Sequence, residues 1–331
     1  MTENPRPTLK TIAQMTGLAV PTVSRALSGA KDIGEHTRDR VQKIAQEIGY
    51  VPNRAGLRLR TGRNYVISLL LSPEVEVMNF TARLINGAAS ALRNTQYHLT
   101  ITPSFADEDP MRALRHVVET NAADAVIFNQ TLPQDPRVQY LMERNFPFAT
   151  HGRTEWSDQH AYYDYDNAVF ARLALRHLAA KGRRSIGIVA PPPCIFYGRE
   201  MITAATDEAK AQGVELHVFQ TVTSEDPVQK VEASMATKMQ QGRRFDGMIF
   251  GSANSCMAGV SGLEQAGLRI GEDVDVFSKE SANFLQRFRP PIHSVQEDAL
   301  TAGAFLARAA IAQIEQPEKP LMQQVEIPQE R

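Results

Sequence analysis

Thr22, Ser24 and Arg25 carry the side chains of this 331-residue chain best suited to gripping a polyanion. Small hydroxyls suit phosphate oxygens, which fix position without specifying sequence. A guanidinium fork pairs with two acceptors at once, such as O6 and N7 of guanine. Val23, Ala26 and Leu27 alternate with them at helical spacing, so a helix starting near Pro21 buries the apolar set and turns the polar set outward. Enzymatic chemistry has little to stand on. No GxGxxG follows a strand-like run, and neither GxxxxGK[ST] nor Gly-x-Ser-x-Gly occurs. Asp164 and Asp166 alternate on an extended segment and form no acid/base pair.

A short helix must come first to hold that face. Leu9, Ile12 and Ala13 recur at helical spacing behind Thr8, a natural N-cap. Gly17 supplies the sharp turn, and Pro21 suits the first turn of the next helix. Thr37–Ile48 forms a third amphipathic helix through Val41, Ile44, Ala45 and Ile48, ending at Gly49. A basic run with Leu57 and Leu59 then leads to Arg63. Residues 1–63 hold eleven Lys and Arg against five Asp and Glu, a net of +6. Because the whole chain sums to −1, the remainder carries −7: a basic head on an acidic body, which suits DNA and argues against a membrane surface.

Three small helices, a basic linker and a large domain resemble the LacI/GalR family of bacterial transcription regulators. Thr-Val-Ser-Arg at 22–25 and Tyr-x-Pro-Asn at 50–53 carry most of that resemblance. It places Val20 and Pro21 where the family varies base readout, and Arg25 at a base-contacting arginine. Val20 and Pro21 offer only apolar contact, and Ala19 stands where a capping Ser or Thr is common. Residues 53–60 resemble the family's hinge helix, with Leu59 at the leucine that wedges into the minor groove and kinks the duplex. Gly56 replaces a usual alanine there and lowers helix propensity by ~1 kcal/mol. The implied DNA-contacting set is Thr8, Val20, Pro21, Thr22, Ser24, Arg25, Asn53, Arg54 and Leu59.

Beyond residue 63, strands and helices alternate. Apolar runs at 66–71, 99–101, 125–128 and 146–150 predict strands separated by helices at 80–93, 110–120 and 138–143. The pattern restarts with strands at 185–190, 216–219, 247–250 and 274–277, and helices at 167–181, 199–212, 228–241 and 253–266. Two such runs imply two doubly wound parallel sheets, with a ligand cleft beyond their C-terminal strand ends. The fold class expected is α/β: a three-helix helix-turn-helix head (1–52), a hinge (53–63) and a two-lobed body (64–331) similar to periplasmic binding proteins. The resemblance assigns 64–164 plus a return at 294–320 to the first lobe, and 165–293 with the tail to the second.

In the cleft the resemblance points to Phe80, Arg199, Asn254 and Glu280 as effector-binding residues, with His151 and Arg153 as further wall residues. Ser255 and Ser278-Lys-Glu280 depart from the family pattern, and Pro191–Pro193 stiffens the loop before Arg199. Arg153, Arg199 and Lys279 would suit an anionic sugar, whereas a neutral mono- or disaccharide fits equally. Asp166 and Asn167 sit at the lobe crossing and serve either as cap or as ligand contact.

Hydrophobic residues make up 43% of the chain, enough for a substantial core. No apolar run approaches a membrane span, and the N-terminus lacks a signal-peptide core. Cys194 and Cys256 are far apart without a CxxC pattern, which predicts a cytoplasmic protein with free thiols, no metal and no cofactor. The tail after Gln316 lacks the heptads of a tetramer-forming coiled coil. The expectation is a homodimeric regulator, a repressor in character, of double-stranded operator DNA, switched by a sugar, sugar phosphate or sugar acid. Two other classes compete: an effector-independent DNA-architectural protein, and a carbohydrate-binding transport protein.

Overall fold

The computed structural model describes residues 7–50, 58, 61–71, 80–105, 108–240, 245–287 and 292–329. The chain divides into two compact units, 1–64 and 65–331.

In the first unit, α1 (Leu9–Thr16), α2 (Val20–Leu27) and α3 (Glu35–Glu47) pack around Ile12, Val23, Ala26 and Val41, which are fully buried. Thr8 caps α1 through a reciprocal pair: the Thr11 N–H donates to the Thr8 hydroxyl, and the Thr8 N–H donates to Thr11 Oγ1. Gly17 ends α1 at φ 67°, the left-handed conformation an L-residue resists. Ala19 gives α2 no side-chain cap, and Pro21 lies in its first turn, where no N–H is needed. The third helix starts at Glu35 rather than Thr37, because Gly34 precedes it without a capping side chain to mark the boundary.

The second unit contains two all-parallel sheets. The first has the order β11-β5-β4-β3-β1-β2, built from β1 (Val66–Leu71), β2 (His98–Pro103), β3 (Ala125–Phe128), β4 (Phe148–His151), β5 (Ala161–Tyr165) and β11 (Gln323–Glu326). The second has the order β10-β9-β8-β6-β7, from β6 (Ser185–Val189), β7 (Glu215–Val218), β8 (Gly247–Phe250), β9 (Asp275–Glu280) and β10 (His293–Gln296). Central strands β3 and β8 are continuous apolar runs, and β1 departs from one only at Ser68, because helices cover both faces. Helices α4 (Phe80–Leu92), α5 (Pro110–Glu119), α6 (Pro136–Glu143) and α11 (Ala299–Glu315) belong with the first sheet. Helices α7 (Asn167–Ala180), α8 (Phe196–Gln212), α9 (Val228–Gln240) and α10 (Ala253–Gln265) belong with the second.

The chain passes from the first lobe to the second at 165–167 and returns at 296–299. The tail strand belongs to the first lobe and not, as the resemblance implied, to the second: β11 pairs with β5, and α11 packs on α4 there. That helix crossing is intimate. A Cβ on Gly87 would lie 2.0 Å from the Leu300 carbonyl oxygen, and one on Gly303 would lie 2.0 Å from that of Leu84.

Candidate functional site

Two surfaces concentrate chemistry, one in each unit. In the head, Pro21 and Arg25 are exposed on α2, while Thr22 and Ser24 are half-buried beside them. Val20 packs in part against the head core, since it begins the helix next to Leu18. Thr8 lies at the start of α1, engaged in its capping pair. Arg25 Nη2 donates to Asp32 in the turn that follows α2. Asn53, Arg54, Gly56, Leu57 and Leu59 lie outside the described residues, as does most of the expected hinge helix.

In the body, a cavity of ≈ 130 Å³ lies between the lobes, at the C-terminal ends of both sheets. That is where helix-flanked parallel strands expose backbone and loops to a ligand. Phe80, Gln130, His151 and Asp164 contribute from the first lobe, and Tyr197, Ser224, Glu225, Asn254, Lys279 and Glu280 from the second. Asn167 and Glu297 contribute from the crossings. The Phe80 ring meets the His151 imidazole edge-on, with centroids 5.1 Å apart.

Charge inside the cleft is paired. Lys279 Nζ donates to Glu297 at 2.8 Å and to Asn167 Oδ1 at 3.2 Å. Arg153 donates through Nε to Asp164 at 2.6 Å and through Nη2 to Glu200 at 2.9 Å. Arg199 pairs with Glu155 at 3.2 Å on the exposed rim. Glu225 differs, because its oxygens accept from two neutral donors, the Tyr197 hydroxyl and the Gln130 amide. Burial raises the Glu225 carboxyl above its ordinary range and pushes Asp164 up to about 6, despite the Arg153 guanidinium beside it. Burial also lowers His151, which keeps its imidazole neutral near pH 7. Ser224 Oγ and Asn254 Oδ1 are buried at the cavity wall without a hydrogen-bond partner among the described residues.

The model described as "Bacterial regulatory proteins, lacI family" matches residues 8–53, and that of a "Periplasmic binding protein-like domain" matches 175–331. The chain belongs to the lacI family of bacterial regulatory proteins. The HTH-type transcriptional regulator AglR of Rhizobium meliloti (strain 1021) is 26% identical over 312 residues, covering 92% of this chain and 87% of that protein. A solved transcriptional regulator CelR–cellobiose complex shares the fold at a TM-score of 0.72 and 24% identity, covering 98% of each chain. The lac repressor dimer bound to operator and the anti-inducer ONPF shares it at 0.82 and 17% identity, over 98% and 97%. The protein is a DNA-binding transcription regulator, and its α/β fold of head and two-lobed body is the fold of these relatives.

Of the residues singled out in this regulator's cleft, Phe80, His151, Asn254 and Glu280 come together at the cavity, while Arg153 and Arg199 do not line it. Arg199 stands in the first turn of α8, which starts at Phe196 rather than Arg199, so its side chain reaches Glu155 at the rim. Glu280 spends its oxygens on the Phe284 and Leu285 N–H groups and the Ser294 hydroxyl, anchoring the turn after β9. Asp166 caps α7 by accepting from Val169 N–H. Asp164, Tyr197, Ser224, Glu225 and Glu297 were missed. Asp164 carried one usable signal, a carboxylate at the end of a Tyr-rich strand.

Proposed function

We propose that this regulator binds a pseudo-palindromic operator as a homodimer and is switched by an uncharged, hydroxyl-rich sugar held between the lobes of its body. The head residues Thr22, Ser24 and Arg25, with Pro21, would read the duplex, and residues 53–63 would form a hinge carrying Leu59 into the minor groove. Two heads related by a two-fold axis match two half-sites. The sugar acts by preferring one arrangement of the lobes, since a ligand shifts an equilibrium only through differential affinity.

The pairing of the cleft cations carries the choice of effector class. Lys279 and Arg153 are each satisfied by a buried carboxylate, and Arg199 is spent at the rim. A phosphate or sugar acid would therefore meet several carboxylates, Glu225 foremost, and none of these three cations unpaired. Hydroxyl donors are what Glu225, Asp164 and Asn254 can accept, and the Phe80 ring offers a face for the apolar side of a sugar. The CelR complex with cellobiose supports the same class. In this reading the cleft binds without catalysis, and a regulator acting on bacterial DNA works in the cytoplasm. Among the described residues no helix is long and apolar enough to cross a membrane, and no cluster of His, Cys, Asp and Glu is placed to hold a metal.

A thermal-shift panel of matched neutral, phosphorylated and oxidised sugars on the full-length chain tests this. A neutral ligand at 100 times its dissociation constant should add about 2.7 kcal/mol of stability and alter operator affinity. Stabilisation by the phosphorylated member alone would reverse the assignment of class. No response from any sugar, with operator binding intact, would favour an effector-independent DNA-binding protein.

A further inference from the structure

We infer that Asp32 is a specificity-determining residue of the DNA-reading head, acting by holding the Arg25 guanidinium. The inference rests on the reading of Arg25 as a base contact. Arg25 lies in the last turn of α2 with its side chain 58% exposed, and Asp32 is 53% exposed. A long arginine at such a site samples many rotamers in water unless something holds it. Asp32 Oδ2 accepts from Arg25 Nη2 across the 28–34 turn.

That turn is itself braced, so the carboxylate is presented from a fixed backbone. Arg38 Nη2 donates to the carbonyls of Ala30 and Ile33, either side of Asp32, at 3.1 Å each. The Ala30 N–H and the Ser28 hydroxyl both return to the Arg25 carbonyl, at 3.1 and 3.0 Å. Arg25 and Asp32 are thereby joined through backbone as well as through side chains.

Stability does not explain the pair, because exposed ion pairs contribute little to folding. Its placement is also unfavourable for simple affinity. Asp32 is one of five acidic residues among residues 1–63, whose net charge is +6, and it pairs with the arginine proposed to face the duplex. A negative charge there weakens binding to every duplex alike. Fixing the guanidinium strengthens binding only where a base offers matching acceptors, because a fork bonded along one side keeps its remaining N–H groups aimed in one direction. Asp32 therefore exchanges general affinity for discrimination.

The test uses full-length protein, an operator selected from a random duplex library, and a random duplex, each titrated over a range of salt. Asp32→Ala should raise affinity for random duplex by about two- to fivefold. It should lower the operator-to-random ratio by about three- to tenfold, a part of the roughly 5- to 150-fold that a whole bidentate contact is worth. Asp32→Asn, which keeps an acceptor and removes the charge, should raise random binding similarly while retaining most of the ratio. In an Arg25→Ala background the ratio should no longer respond to Asp32→Ala. A ratio that falls equally with and without Arg25 overturns the inference, as does one that ignores Asp32→Ala while Arg25→Ala lowers it. If Arg25→Ala itself leaves the ratio unchanged, the base-contact reading falls and the inference with it.

Discussion

The head and the body of this regulator treat charge in opposite ways. The head leaves Arg25 in water beside an exposed carboxylate, with Lys10, Lys31, Arg40 and Lys43 exposed as well. The body draws Arg153, Asp164, Lys279 and Glu297 inward and pairs them there. An exposed cation acts at a distance on a partner with many charges and is sensitive to screening. A buried, matched set does little at a distance and presents hydrogen-bonding geometry instead. The contrast is what the proposed function requires of two units with two kinds of partner, a polyanion and a neutral sugar.

The head has the smaller core, so the largest expected effect lies there. Ile12→Ala should cost about 2–5 kcal/mol and abolish operator binding while sugar-induced stabilisation of the body persists. Loss of both together in calorimetry and gel shift would erase the division into two units. Next comes the α4–α11 crossing. Gly303→Ala must force the helices apart at Leu84 and should cost about 1–3 kcal/mol, read in urea as a lower midpoint for the body transition with the head transition unmoved. At the reading face, Arg25→Ala should cost ~1–3 kcal/mol of operator affinity and relax preference at one base pair. An equal loss on random duplex would make Arg25 a phosphate contact. Asn254→Ala should weaken sugar binding by about 1 kcal/mol without touching DNA affinity, and calorimetric titration with the neutral sugar checks both.

The smallest effect is a pH dependence confined to the body. Asp164 titrates near 6 when folded, above the 3.8 of a free aspartate, so the native state holds its proton more tightly. Its contribution to stability is full below about pH 4 and is lost as pH rises towards 6. His151 is shifted down by burial and works in the other direction, losing its contribution as pH falls below 6.5. The melting temperature of wild type minus that of Asp164→Asn should therefore decline between pH 4 and 6. A flat difference would mean that Asp164 is not buried in solution.

Reading the sequence went furthest where function follows a helix. Thr22, Ser24 and Arg25 share a stretch of eight residues whose apolar positions reveal which side is buried. The head's helices and most of the body's strands were legible for the same reason. Short polar strands were not. In β11, Gln-Gln-Val-Glu carries no apolar alternation, and its pairing with β5 decides that the tail returns to the first lobe. The cleft was harder still, because Asp164 comes from a strand and Glu225 and Glu297 from two separate loops, and they meet only after both sheets have formed. Glu225 sits in Thr-Ser-Glu-Asp, which reads as an ordinary polar turn. The proline run before α8 concealed the helix start at Phe196, and that offset carries Arg199 to the rim.

The start of α8 has one further consequence, and it concerns time. Its first turn bridges the lobes: the Phe196 N–H donates to the Thr131 carbonyl at 2.8 Å, Glu200 holds Arg153, and Arg199 holds Glu155. Separation of the lobes along this edge would have to break all three links, so the rate of any such opening depends on contacts made by the protein itself.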